Sequence, residues 1–298
     1  MPTLPTLPLV TVDTTMPTVN GTTFTVNSGG NLATALTNAA AANTSLTHEI
    51  VIQAGATFTG PFTLPARAAG SGWVIIRSSL LANLPAGQRV DTGDTANMPL
   101  IRVTADSPVF NTTVGASNAH HYRFAGLEIT STVAITEIVT LGSATNSVAA
   151  NLGDHFIVDR CYIHGASGLK ARRGISLQSG EAAVIDSYIS DCKEVGADSQ
   201  AIAGWNGTGP YLIKNNYLEG AGENILFGGA NTAITNNIPS DIEILRNYFF
   251  KPLTWRVGDP TYAGIHWSVK NLFELKNAQR VRVEGNIFES TWPDGQSF

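Results

Sequence analysis

In the stretch NLFELKN, an acid and a cation, Glu274 and Lys276, stand two apart beside Phe273 and Leu275. Period-two alternation puts both on the solvent face of a half-buried strand. There Lys276 could act as a base or clamp a carboxylate, with Glu274 holding the lysine or a cation. The alternative is a plain surface ion pair. In LKARRGISL, Lys170, Arg172 and Arg173 cluster at a strand edge. Guanidinium groups suit contact with carboxylates, as in uronic acids, unless they pair with Asp191, Glu194 or Asp198. The same strand carries Gln178. In AGWNGTGP, Trp205 would make a flat platform for a sugar ring, or pack under a neighbouring loop.

Two further segments offer donors. NNYLEGAGENILFGG sets Glu219 and Glu223 across a glycine-rich turn, beside Asn224. Such oxygens could hold Ca²⁺, which takes six to eight of them; Glu223 and Glu274 are the metal-ligand candidates. The loop FKPLTWRVGDPTYAGIHWSVK holds Trp255, Tyr262, His266, Trp267 and Lys270. Loops of this length are often functional, and the competing reading is a small satellite core anchored by Trp267. The expectation is a mixture, in which Trp255 or Tyr262 packs and His266 and Lys270 face a groove. The expected site therefore has Lys276, Arg173 and His266 as catalytic residues. Trp205, Gln178, Arg172, Lys270 and Trp255 would bind substrate.

What positions these residues is a repeat. Six segments end alike: HYRFAGLEI, FIVDRCYI, AAVIDSYI, YLIKNNYL, IEILRNYF and VRVEGNIF, closing at Ile129, Ile163, Ile189, Leu218, Phe249 and Phe288. Two positions before the last three ends stand Asn216, Asn247 and Asn286, a residue suited to tight turns and backbone bonding. A second set, EIVTLGS, GISLQSG, AIAGWNG, NILFGGA and LFELKN, aligns Val139, Ile175, Ile202, Ile225 and Phe273 in one inward column. Irregular spacing between alike strands is what a solenoid with variable loops produces.

Composition fits an all-β solenoid. Charged residues are only 14% of the 298, too few for long surface helices. With a net charge of −5 and no basic run, a nucleic-acid surface is not expected. No apolar run approaches a membrane span. The N-terminal stretch lacks a signal-peptide pattern. Cys161 and Cys192 are too few for a disulfide framework and read as buried thiols.

These features resemble a right-handed parallel β-helix of the pectin lyase-like superfamily. GGNLATALTNAAAA, HEIVIQAGATFTGPFTL and GWVIIRSS are similar to the capping helix and first coils of such proteins, with residues 31–42 as the cap. The resemblance implies one β-helix domain over residues 1–298, secreted or at the cell surface, and active on an acidic polysaccharide. It implies a lyase working by β-elimination, with a glycoside hydrolase and a non-catalytic glycan-binding or structural module as the other readings. For hydrolysis, two carboxylates among Asp198, Glu223 and Glu274 would stand about 5–9.5 Å apart. Gly222–Glu223 also resembles the start of the calcium-binding G-E-x-E pattern of the lyase family containing alginate lyases and chondroitinase B. Ile225 replaces the second acid, and Glu274-Leu275-Lys276 fits that family's acid-then-lysine order better. The chain ends without a polar cap after WPDGQSF, so truncation, or end-to-end association through the C-terminal coil, is expected.

Overall fold

The computed structural model describes residues 3–292 and Asp294. It is a parallel β-helix of three sheets with nine, eight and seven strands, all paired in parallel. Each coil visits the three sheets in turn. One runs from Ile135–Gly142 in the seven-stranded sheet to Asp154–Asp159 in the nine-stranded sheet. It continues through Tyr162–His164 in the eight-stranded sheet and returns at Ala171–Gln178. No helix among the described residues is long and apolar enough to cross a membrane.

Alternating apolar residues build the core by stacking identical positions. Val139, Ile175, Ile202, Ile225 and Phe273 pair strand to strand in one column of the seven-stranded sheet. Ile129, Ile163, Ile189, Leu218, Phe249 and Phe288 do the same in the eight-stranded sheet. The helix Leu32–Ala41 closes the first coil. Asn31 caps it by accepting from the Thr34 N–H at 2.9 Å, and Leu32, Ala35, Leu36, Ala39 and Ala40 are buried against the core. A strand at Thr23–Val26 precedes this helix and pairs with His48–Ile52, so the solenoid begins earlier than the sequence pattern suggests.

The corner between the nine- and eight-stranded sheets is sharp, with one left-handed residue per coil at Arg160, Asp186, Asn215 and Arg246. Immediately after the last two come Asn216 and Asn247. Asn247 Oδ1 accepts from the backbone N–H and Nδ2 of Asn216 at 2.9 and 3.0 Å. Asn286 Oδ1 receives the same two bonds from Asn247 at 2.8 and 3.0 Å. Each amide also donates to a carbonyl of the coil behind it, those of Val184, Ile213 and Ile244. The asparagines therefore form one continuous ladder inside the corner, which satisfies backbone groups that a tight turn leaves without a sheet partner.

The N-terminal stretch, unassigned in the sequence pattern, is a strap over the outside of the nine-stranded sheet. That face is apolar, and Val12 packs on Ile157, Ala183, Ile185 and Leu212. Polar contacts fasten it: Leu9 N–H to Asp241, Thr11 to Glu243, and Arg123 Nη1 to the Thr14 carbonyl. The last described coil exposes Leu275, Val283, Ile287 and Phe288.

Candidate functional site

The outer edge of the seven-stranded sheet carries a polar ladder. Glu137, Arg173, Gln200 and Glu223 occupy one register position on successive strands. Arg173 Nη1 is 3.2 Å from Glu137 Oε1, and its guanidinium lies 5.0 Å from the Trp205 ring centroid. Gln200 donates to Glu223 Oε2 at 2.7 Å. Lys270 stands between two acids, 2.8 Å from Glu223 Oε1 and 3.0 Å from Asp198 Oδ2. Burial alone would lower the Lys270 pKa, but the two carboxylates outweigh it and raise it. Arg172 and Lys170 converge on Glu194, at 3.4 and 3.7 Å.

The fold thus brings Arg172, Arg173, Lys270, Glu223, Trp205 and Gln178 together, but mostly as partners of one another and of nearby acids. Gln178, expected to face substrate, is fully buried. Its Oε1 accepts from the N–H groups of Trp205 and Asn206 at 3.1 and 2.9 Å and fixes the turn that aims Trp205. Strand parity gave its face correctly but not the turn that covers it. We expect Gln178→Ala to destabilise the protein by about 1–3 kcal/mol, because it strands these donors. Urea denaturation checks this.

Trp255, also expected to contact substrate, is buried with Trp267, Val269 and Ala221. Lys193 is wedged between the two tryptophans, 5.8 and 5.5 Å from their centroids, and pairs with Asp191. The long loop is therefore a satellite core on the corner, not a groove wall at Trp255. His266 is exposed and bonds Asp294 at 2.7 Å. Glu223 and Glu274 do not fit a shared Ca²⁺. Glu223 is fully buried, with its oxygens on Lys270 and Gln200, while Glu274 stands opposite Leu226 and faces Lys276.

Lys276 and Glu274 form a separate pair at 3.4 Å, and the Lys276 side chain is 44% exposed. Lys276 lines an open depression of about 450 Å³ with Gly229, Ala230, Asn231, Thr232 and Asn277. The segment beside it is 229–232. Arg172, Arg173 and Lys270 are engaged by other carboxylates and not by this depression.

The corner behind the site holds two shifted titratable groups: Lys251, which the sequence does not single out, and Glu219, named there only as an oxygen donor. Lys251 is fully buried and donates to the carbonyls of Gly220, Ala221 and Gly222; burial pushes it down to about 7. Burial pushes Glu219 up from 4.5 to about 7, against hydrogen bonds from Tyr217 and the Asp191 N–H. A raised carboxyl means that the folded chain holds an extra proton between those values. The stability Glu219 contributes is full below pH 4.5 and is lost as the pH rises through about 7. Glu219→Gln should therefore flatten the fall in Tm over that window, read by scanning calorimetry at several pH values.

The stacked sheets define the class of protein as a parallel β-helix, in accord with the pectin lyase-like resemblance of the sequence. No family model matches the chain, and no curated protein matches it. Among solved structures, the chain is similar to the alginate lyase from Paenibacillus sp. str. FPU-7. The TM-score is 0.44 and the identity 16%, over 91% of this chain and 98% of that one.

Proposed function

We propose that the protein acts on an acidic, uronate-containing polysaccharide by β-elimination. The observation that carries this reading is the Lys276 depression, an exposed ammonium among Asn231, Thr232 and Asn277, with one carboxylate, Glu274, 3.4 Å away. The ammonium and amides would neutralise a sugar carboxylate and so acidify the adjacent C–H. A base then removes that proton, the glycosidic C–O bond breaks at the neighbouring carbon, a C=C bond forms, and the departing sugar oxygen takes up a proton from water. Glu274 is the carboxylate within reach to take the proton, with Lys276 as the clamp. Incubating the protein with pectate, alginate and chondroitin sulfate tests this; the unsaturated uronate product absorbs in the ultraviolet, and its absence on all three counts against the reading.

A second reading is a non-catalytic glycan-binding module. It is favoured by one observation: Arg173, Lys270 and Arg172 are already matched to carboxylates. Retention on immobilised uronate polymers without product would select it.

A further inference from the structure

Three of the chain's six histidines meet at one place outside the site above. His121 and His155 hold equivalent positions on adjacent coils of the nine-stranded sheet, where Asp154 pairs with His120 and Phe156 with Tyr122. Their rings stack face to face, with centroids 4.1 Å apart and planes 8° from parallel. Both residues adopt left-handed backbone angles, each with φ of 55°. Neighbouring coils thus turn the same side chain to the same point. Trp73 packs edge-on against both rings, at 5.2 and 6.3 Å.

The surrounding hydrogen bonds assign the ring nitrogens. His120 Nε2 faces the carbonyl oxygens of Arg67 and Ala68 at 3.3 and 3.1 Å, so it carries a proton. His120 Nδ1 then accepts from His121 Nδ1–H at 2.9 Å, which leaves His121 Nε2 as a bare lone pair. His155 Nδ1 lies 2.8 Å from Asp154 Oδ1, and its Nε2 is 3.7 Å from Glu181 Oε2. Metal-binding histidines characteristically have the second ring nitrogen tied to an acceptor, as His121 Nδ1 is to His120. Side-chain exposures of 35% for His155 and 51% for Asp154 leave a route in from solvent.

We propose that His121, His155 and Asp154 bind a divalent transition-metal ion of the zinc, copper or nickel type, with Glu181 bordering the site. Donor atoms of these three residues all lie within 4.8 Å of one another. Imidazoles with a carboxylate favour such ions over Ca²⁺ or Mg²⁺, which take oxygen ligands. An ion here would staple one coil to the next and raise Tm, increasingly as the free-ion concentration exceeds Kd.

The test uses the full chain with ZnCl2 in isothermal titration calorimetry and CoCl2 in visible absorption. One ion per chain is expected, with ligand-field bands of low-symmetry cobalt. His121→Gln and His155→Gln should abolish binding, and Asp154→Asn should weaken it. His266→Gln, at an exposed ring elsewhere, should leave the affinity unchanged. Imidazole ¹⁵N shifts of the unmodified protein on adding ZnCl2 give a second readout that does not depend on the variants folding. Shifts at His121 and His155 support the site. Absence of binding, affinity retained in the double histidine variant, or shifts confined to other histidines overturns it.

Discussion

Asn247→Ala is expected to lower folding stability by about 3–5 kcal/mol, because several buried groups lose their partners together at about 1–3 kcal/mol each. Its Oδ1 receives both N–H groups of Asn216, and its Nδ2 serves the Ile213 carbonyl and Asn286 Oδ1. Alanine leaves those donors and acceptors facing one another across a gap in a corner with no competing sheet bond. Asn216→Ala should cost a similar amount, and the double variant less than the sum, since the two share bonds. Asn27→Ala, at an exposed position, should stay within about 0.5 kcal/mol. Guanidinium denaturation checks the series. A loss at Asn247 no larger than that at Asn27 would mean that the ladder is incidental to the corner.

The second large effect concerns activity. Lys276→Ala should abolish elimination while shifting Tm little, because an exposed pair such as Lys276–Glu274 contributes about 0–1 kcal/mol. Lys276→Arg keeps the positive charge, so a clamp role predicts partial activity and a base role predicts none. Glu274→Gln should remove turnover while leaving affinity for uronate oligomers largely intact. Steady-state kinetics with separate kcat and KM, together with a melting curve for each variant, reads these outcomes. Trp205→Ala is a poorer probe. The ring supports the Arg173 guanidinium and is half-buried, so its removal alters packing as well as surface.

Much of the scaffold could be read from residue periodicity, because in a β-helix the same physical demand recurs in every coil. The inward columns through Val139 and Ile129, the cap helix, and the line of Asn216, Asn247 and Asn286 all follow from that repetition. The site was legible only in part. Parity says which way a side chain leaves a strand; it does not say what lies on top of it. Gln178 points as its parity requires, yet is sealed by the turn after Gly204. Ser176, Ala203 and Leu226, in the outward column that ends at Glu274, are buried as well. Arg172, Arg173 and Lys270 are near one another, but their carboxylate partners come from separate turns and from the neighbouring strand at Glu137. The strap at Leu9–Thr14 and the stacked pair His121–His155 leave no periodic signal. Each depends on contacts between segments whose spacing is irregular.

The central claim, an acidic glycan held at the Lys276 depression, is tested most directly by a crystal of the Glu274→Gln variant soaked with short uronate oligomers. The account predicts a sugar carboxylate against Lys276 Nζ and the side chains of Asn231 or Asn277, with the glycosidic oxygen on the side of residue 274. Oligomers bound elsewhere, or an empty depression at saturating ligand, would contradict it.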